Sequence, residues 1–411
     1  MGGRPQLRSV ESIVVPDEQH GRVVVLRDTQ GIAPGHAVLP PALLPIVSRF
    51  DGEHTCAEIA AEASAEIGGT IPVELVERLV QQLDEGLFLE GPTFDAALAL
   101  ARRAFEDAPL RPASHAGGAY PGDAKALGTY IAEQCVSRAA PKRRNGRMVG
   151  LVAPHIDPWR GAVGYGHAYG TLARTLPDEV DTFLVFGTSH APMQEPFALL
   201  RKGYDTPLGP MPVDESAVDA LAKAARFDPY HDAMNHKREH SIEFQAAFLR
   251  HLLGKREARI IPILAGLGDA QARRRSPRQD AKVASFFDAV KKLVDGRKGR
   301  IVVVAGADLA HVGPRFGDAA FDVQQRAALE ATDRESLDRA AKRDEKAFWD
   351  HVAGDLDERR VCGLAPVYSL LEALTPMGDS RGEVLHYEQT VDAEDGSIVS
   401  HAAVGFFSAE P

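Results

Sequence analysis

The chain has 411 residues, 44% hydrophobic and 26% charged, with a formal net charge of −11. That length exceeds one ordinary core and predicts two domains of a globular protein. The acidity argues against general nucleic-acid affinity, and no run approaches the ~20 apolar residues of a membrane-spanning helix.

The opening MGGRPQLRSVESIVVPDEQHGR lacks the apolar centre of a signal peptide, so a cytoplasmic protein is expected. The runs RVVVL (residues 22–26) and HAVLP (residues 36–40), split by DTQGIAPG, predict a hairpin-like pair. PPALLPIVSRF opens with prolines, which suit a first helical turn. HTCAEIAAEASAEIGG predicts a helix with Thr55 as N-cap, Glu58 three residues on and a double-glycine stop. PVELVERLVQQLDEGLFLEG has helical spacing and runs into a short strand, LFLE. Strand pair, three helices and a terminal strand make a small winged-helix domain over residues 1–92, tail included. DAALALARRAFEDAP predicts a helical linker over residues 93–112.

Residues 1–100 carry 6 Arg and no Lys against 15 Asp and Glu. A DNA reader needs a basic face, so this balance weighs against a winged-helix regulator of transcription.

From residue 113 to 411 the pattern alternates. MVGLVAP, TFLVFG, RIIPILAG and RIVVVAG predict strands; AVDALAKAA, FQAAFLRHLL and VASFFDAVKKLV predict helices. This implies an α/β domain with a mixed or largely parallel sheet flanked by helices. The basic stretch ARRRSPRQDAK is expected to be a solvated loop. The chain has no P-loop, no GxGxxG opening a helix after a strand and no G-x-S-x-G.

Several segments break from an apolar run or sharp turn into a polar side chain: His155 in APHID, His190 in GTSH, Asp308 and His311 in GADLAH, and Cys362 in VCGL. In open α/β sheets ligands gather at strand ends. Imidazole and thiolate suit borderline and soft metals, so His155, His190 and Cys362 form a candidate ligand set. Cys56 and Cys135 fall on apolar helix faces, and three cysteines make no disulfide framework.

FDGEHTCAEIAAEA followed by LVQQLDEGLFLEG resembles the PqqD-like peptide-recognition domains over about residues 20–92. The resemblance implies a peptide or protein partner, taken along the edge offered by RVVVL or HAVLP. From RPASHAGGAYPGD through APHIDPWRG, FGTSHAP, REHSIEFQ, GADLAHVG and VCGLAP to HYEQTVDAEDGS, the ordered motifs resemble the Memo-like family over about residues 111–408. Its bacterial members bear the name of protein B of the AmmeMemoRadiSam system.

This second resemblance implies a fold related to class III extradiol dioxygenases, which are non-haem iron enzymes. It implies His155, His190 and Cys362 as metal ligands and His311 as acid/base. Asp308 lies three residues before His311, a spacing that could put the two on one helical face or line one turn, so that Asp308 orients the imidazole. The resemblance also implies His240 and Glu243 near the same cleft, and on a helix their spacing places both on one face. Iron(II) is the implied ion and copper the alternative, because a thiolate softens the site. Radical-SAM and AMMECR-type proteins are the implied partners. Two departures stand out: Asp157 where the family commonly has glycine, placing an added carboxylate near the metal, and Leu364 where it has arginine. The expected function is a metal-dependent oxidoreductase or dioxygenase-like protein; a non-catalytic metal-binding or adaptor protein on the same fold is the alternative.

Overall fold

The Thr55 side chain accepts from the Glu58 N–H at 3.3 Å, and Glu58 accepts from the Thr55 N–H at 2.8 Å. The helix therefore starts where the sequence places it in the computed structural model, which describes residues 3–142 and 144–408. The chain divides into two units, Met1–Ala108 and Pro109–Pro411.

In the first unit, β1 (Glu11–Asp17), β2 (Gly21–Arg27) and β3 (Ala37–Leu39) form an antiparallel sheet in that order. The expected β2–β3 pair is present, but RVVVL is central and offers no edge. ESIVVPD, read from sequence as a tail, pairs along its whole length with β2. A tight turn allows this: Asp17 accepts the backbone N–H groups of Gln19 and His20, and Gly21 takes a φ of 71°. Among the described residues, β1 and β3 are the edges of this sheet.

Four helices follow: α1 (Leu44–Val47), α2 (Cys56–Ile67), α3 (Val73–Glu85) and α4 (Pro92–Asp107). The segment expected as a linker is α4, which falls in the first unit. LFLE is not a strand. Leu87 turns out of α3 at a φ of 65°, and a single bridge, Leu7 to Leu89, forms before Gly91.

The second unit begins with β4 (Leu110–Arg111) and α5 (Ala124–Tyr130). The chain then runs through β5 (Met148–Ala153), α6 (Pro158–Thr175), β6 (Thr182–Thr188), β7 (Phe197–Leu199) and β8 (Gly203–Tyr204). After α7 (Glu215–Ala224) and α8 (His240–Leu253) come β9 (Arg259–Ala265), α9 (Gly268–Ala272), α10 (Ala281–Asp295), β10 (Ile301–Gly306) and β11 (Asp308–Val312). Helices α11 (Val323–Ala341), α12 (Glu345–Ala353) and α13 (Leu364–Leu374) precede the hairpin of β12 (Ser380–Val391) and β13 (Ile398–Ser408). The sheet order is β11-β13-β5-β10-β6-β9-β7, with β12 on β13. Strands β5, β10, β6 and β9 are parallel; β7, β11, β12 and β13 pair antiparallel. This is the expected mixed, largely parallel sheet flanked by helices.

Every residue of β6 and β10 is buried, as strands covered on both faces require. Helices α6 and α8 pack on one face, and α10 and α13 on the other. Among the described residues no helix is long and apolar enough to cross a membrane.

Register decides where the polar residues emerge. Gly306 of β10 lies beside Ala153 of β5 and beside Gly187 of β6. His155, His190 and Asp308 follow these three positions by two or three residues, so they come side by side at this end of the parallel strands. The start of α8 sits on the same strand ends. A Cβ at Gly187 would stand 2.5 Å from Ser241 Oγ, and one at Gly306 would stand 2.2 Å from the Ser241 carbonyl. The two glycines thereby admit Glu239 and His240 to this end of the sheet.

Candidate metal centre

His155, His190 and Cys362 converge, with one ligating atom from each lying within 4.8 Å of the others. That is close to the span of donors sharing one ion at bonds of about 2.0–2.3 Å. His155 is buried. Its backbone N–H donates to Asp308 Oδ1 at 2.9 Å, and its Nδ1 lies 3.0 Å from the Gly306 carbonyl. A carbonyl can only accept, so Nδ1 carries a proton, and Nε2 is the nitrogen left to meet Cys362 or an ion. His190 repeats the arrangement with a carboxylate. Its Nδ1 is 3.1 Å from both Glu239 oxygens, and its backbone N–H donates to Glu239 at 2.9 Å.

Cys362 occupies the turn before α13, with Sγ 3.1 Å from His155 Nε2. Thr188 at the end of β6 donates to the Cys362 carbonyl at 2.8 Å. The Gly363 N–H donates to the Asp308 carbonyl at 3.0 Å. Two imidazole nitrogens and a sulfur in one place form a donor set that fits a borderline transition-metal ion.

The charges agree with that fit. Burial opposes a thiolate at Cys362, but His155 and His311, with hydrogen bonds from His155 and His190, outweigh it and hold the thiol down at about 5. Burial likewise opposes a cation at His155, and Cys362 with Asp308 overcomes it. At His240, by contrast, burial dominates and the neighbouring histidines add to it, so its value falls well below the usual range.

The remaining expected residues sort differently. Asp308 is buried beside His155, with Oδ2 3.8 Å from His155 Nε2, and makes no hydrogen bond to the His311 ring. The expectation that Asp308 orients His311 is therefore corrected. The segment is strand, with an irregular register between the two residues, so a helical-face argument does not apply. His311 Nδ1 instead lies 3.2 Å from the Leu309 carbonyl, and the ring stands edge-on to Phe316.

His240 stacks on His190 with ring centres 4.7 Å apart and meets His155 at 5.3 Å. Glu243, one turn along α8, is buried in an ion pair with Arg111 and accepts from the His115 N–H at 2.9 Å and Tyr120 Oη at 2.6 Å. Asp157 caps α6 through the Arg160 N–H and pairs with the Arg160 side chain, so it serves the helix and not the donor set. Leu364 is core.

Sequence reasoning missed Glu239. It is 5% exposed and lies with His190 and His240 in a second group of close potential ligands. Sequence reasoning also gave no role to Arg111. This buried guanidinium donates to the carbonyls of His236 and Glu239 and so pins the approach to α8. The only signal was charge in otherwise apolar surroundings.

The Memo-like protein family matches residues 111–405. A MEMO1 family protein of Aquifex aeolicus is 29% identical over 391 residues, 95% of this chain and 97% of its own. One from Thermus thermophilus is 27% identical over 84% of this chain and 97% of its own. One from Methanosarcina acetivorans is 29% identical over 64% of this chain and 86% of its own. The first of these alignments is too long to lie within residues 111–405, so it includes sequence of the first unit. With the ordered motifs on strand ends that share one register, these matches establish that the chain belongs to the Memo-like family.

Proposed function

We propose that this protein is a metal-dependent oxidoreductase of dioxygenase-like type, with one non-haem iron held by His155, His190 and Cys362. The observation that carries the reading is the pairing of two Nε2 atoms freed by their Nδ1 partners with a sulfur 3.1 Å from one of them. Bound iron(II) would supply redox chemistry and open coordination positions. Asp308 holds the backbone of His155, and Glu239 faces His190. His311 has its Nδ1 on a carbonyl, which leaves Nε2 as the atom to take or give a proton. Copper is the competing ion, because a thiolate suits it.

Metal analysis of anaerobically purified protein, with spectra before and after exposure to air, tests the reading. One iron per chain, lost in Cys362→Ala and changed by oxygen, is expected. Protein that retains no metal, or retains it equally in Cys362→Ala, would refute it.

For the first unit we propose a peptide or protein partner bound along β3. Its Val38 is 56% exposed, and its strand edge is unpaired among the described residues.

A further inference from the structure

Glu is an uncommon first choice for a helix N-cap, where shorter Ser, Thr, Asp and Asn reach the backbone best. Glu239 nevertheless caps α8, accepting from the Ser241 N–H at 2.9 Å. The longer side chain lets the same carboxylate reach outward. It accepts the His190 N–H, lies 3.1 Å from His190 Nδ1 and lies 3.4 Å from His240 Nδ1. Burying this charge at 5% exposure is costly unless it is compensated, and the contacts that compensate it are the two imidazoles and two backbone N–H groups. Arg111, donating to the Glu239 carbonyl at 2.7 Å, fixes the backbone from which the side chain reaches. A cap alone needs none of the histidine contacts.

We infer that Glu239 is a positioning residue of the metal centre, fixing His190 in the form that presents Nε2 and holding His240 beside it. The inference rests on the metal reading above. A carboxylate on the far nitrogen of a ligating histidine sets its tautomer and orientation and raises its basicity. A second cation between His190, Glu239 and His240 would compete for the same His190 Nδ1 that the carboxylate already faces.

The test is titration of the metal-free full chain with cobalt(II), read by its thiolate charge-transfer band and by chelator competition. Wild type should take one equivalent. Glu239→Gln, which can still cap α8, should keep the band and the stoichiometry while affinity falls about 10–100-fold. In a His190→Ala background, adding Glu239→Gln should cost nothing further.

Unchanged affinity in Glu239→Gln overturns the inference and leaves the metal reading standing, whether or not the melting temperature drops. Two equivalents in wild type, one of them lost in Glu239→Gln, overturn it in favour of a second cation. Wild type that binds no cobalt overturns the metal reading itself and the inference with it.

Discussion

Asp308 Oδ1 accepts the backbone N–H of His155 at 2.9 Å, joining two strand ends that are 153 residues apart in the chain. The carboxylate thereby fixes the position from which the His155 ring projects. Asp308→Ala is expected to weaken metal binding about 10–100-fold in chelator competition. Asp308→Asn, whose amide oxygen still accepts the N–H, should lose less. His311→Ala should bind metal close to wild type, since its ring is outside the donor group. Equal affinity in Asp308→Ala and wild type would remove Asp308 from the centre.

The three cysteines should separate by reactivity in metal-free protein. Thiolate is the nucleophile, so a thiol held at about 5 is already reactive above that pH and loses reactivity only below it. Burial pushes Cys135 up to about 12 and also raises Cys56. Iodoacetamide followed by peptide mass spectrometry should find Cys362 modified first, with a rate that flattens above about pH 5. A Cys362 rate still climbing through about pH 8.5, as for an ordinary thiol, would contradict this.

Glu243 and Arg111 are both fully buried. Removing the acid strands a buried guanidinium, so Glu243→Ala should cost about 3–5 kcal/mol by denaturant unfolding. Burial opposes the Glu243 carboxylate, but Arg111 and His115 outweigh it and hold it at about 2, below the ordinary 4.5. A depressed acid stabilises the fold fully above its unfolded value and loses that contribution as pH falls through the folded one. Wild type should therefore lose stability between about pH 4.5 and 2 more steeply than Glu243→Gln. Parallel pH profiles would contradict this.

Gly363 follows Cys362. Its φ of −77° suits any residue, so space alone requires glycine there. A Cβ would stand 2.2 Å from the Asp308 carbonyl. Gly363→Ala should destabilise by about 1–3 kcal/mol and lower metal affinity by moving Cys362. Unaltered affinity despite a lower melting temperature would show that the turn can shift without carrying the sulfur.

For the first unit, full-length protein should capture extended peptides of basic or neutral character from an array and no duplex DNA at physiological salt. The acidity of residues 1–100 sets that preference. Val38→Lys, on the exposed edge strand, should lower capture without lowering the melting temperature. Retained capture would place the partner elsewhere.

Strands β5, β6 and β10 were legible because continuous apolar runs broke abruptly into small residues, and their ends carried the histidines. What lay outside local pattern was not legible. Strand β1 reads as a tail because its pairing depends on a turn set by Asp17 and Gly21. Asp308 and His311 suggest one face at a spacing of three, but a strand with an irregular register gives them different partners. Asp157 looks like an extra carboxylate beside the centre until its bonds to the start of α6 are seen. Glu239 escaped because its partner His190 is 49 residues away, a relation no window of sequence contains.

The distance along the chain from His155 to Cys362, 207 residues, has a consequence for assembly. In a short zinc-binding loop the ion can gather its own ligands and drive folding. Here the two histidines and the sulfur meet only after β5, β6 and β10 have taken their places and α13 has docked against them. Contacts this remote in sequence form late, because loop-closure entropy must be overcome first. On the metal reading proposed above, uptake of an ion would report that the second unit has finished folding. A chain stopped before residue 362 would keep the two imidazoles and lack the sulfur.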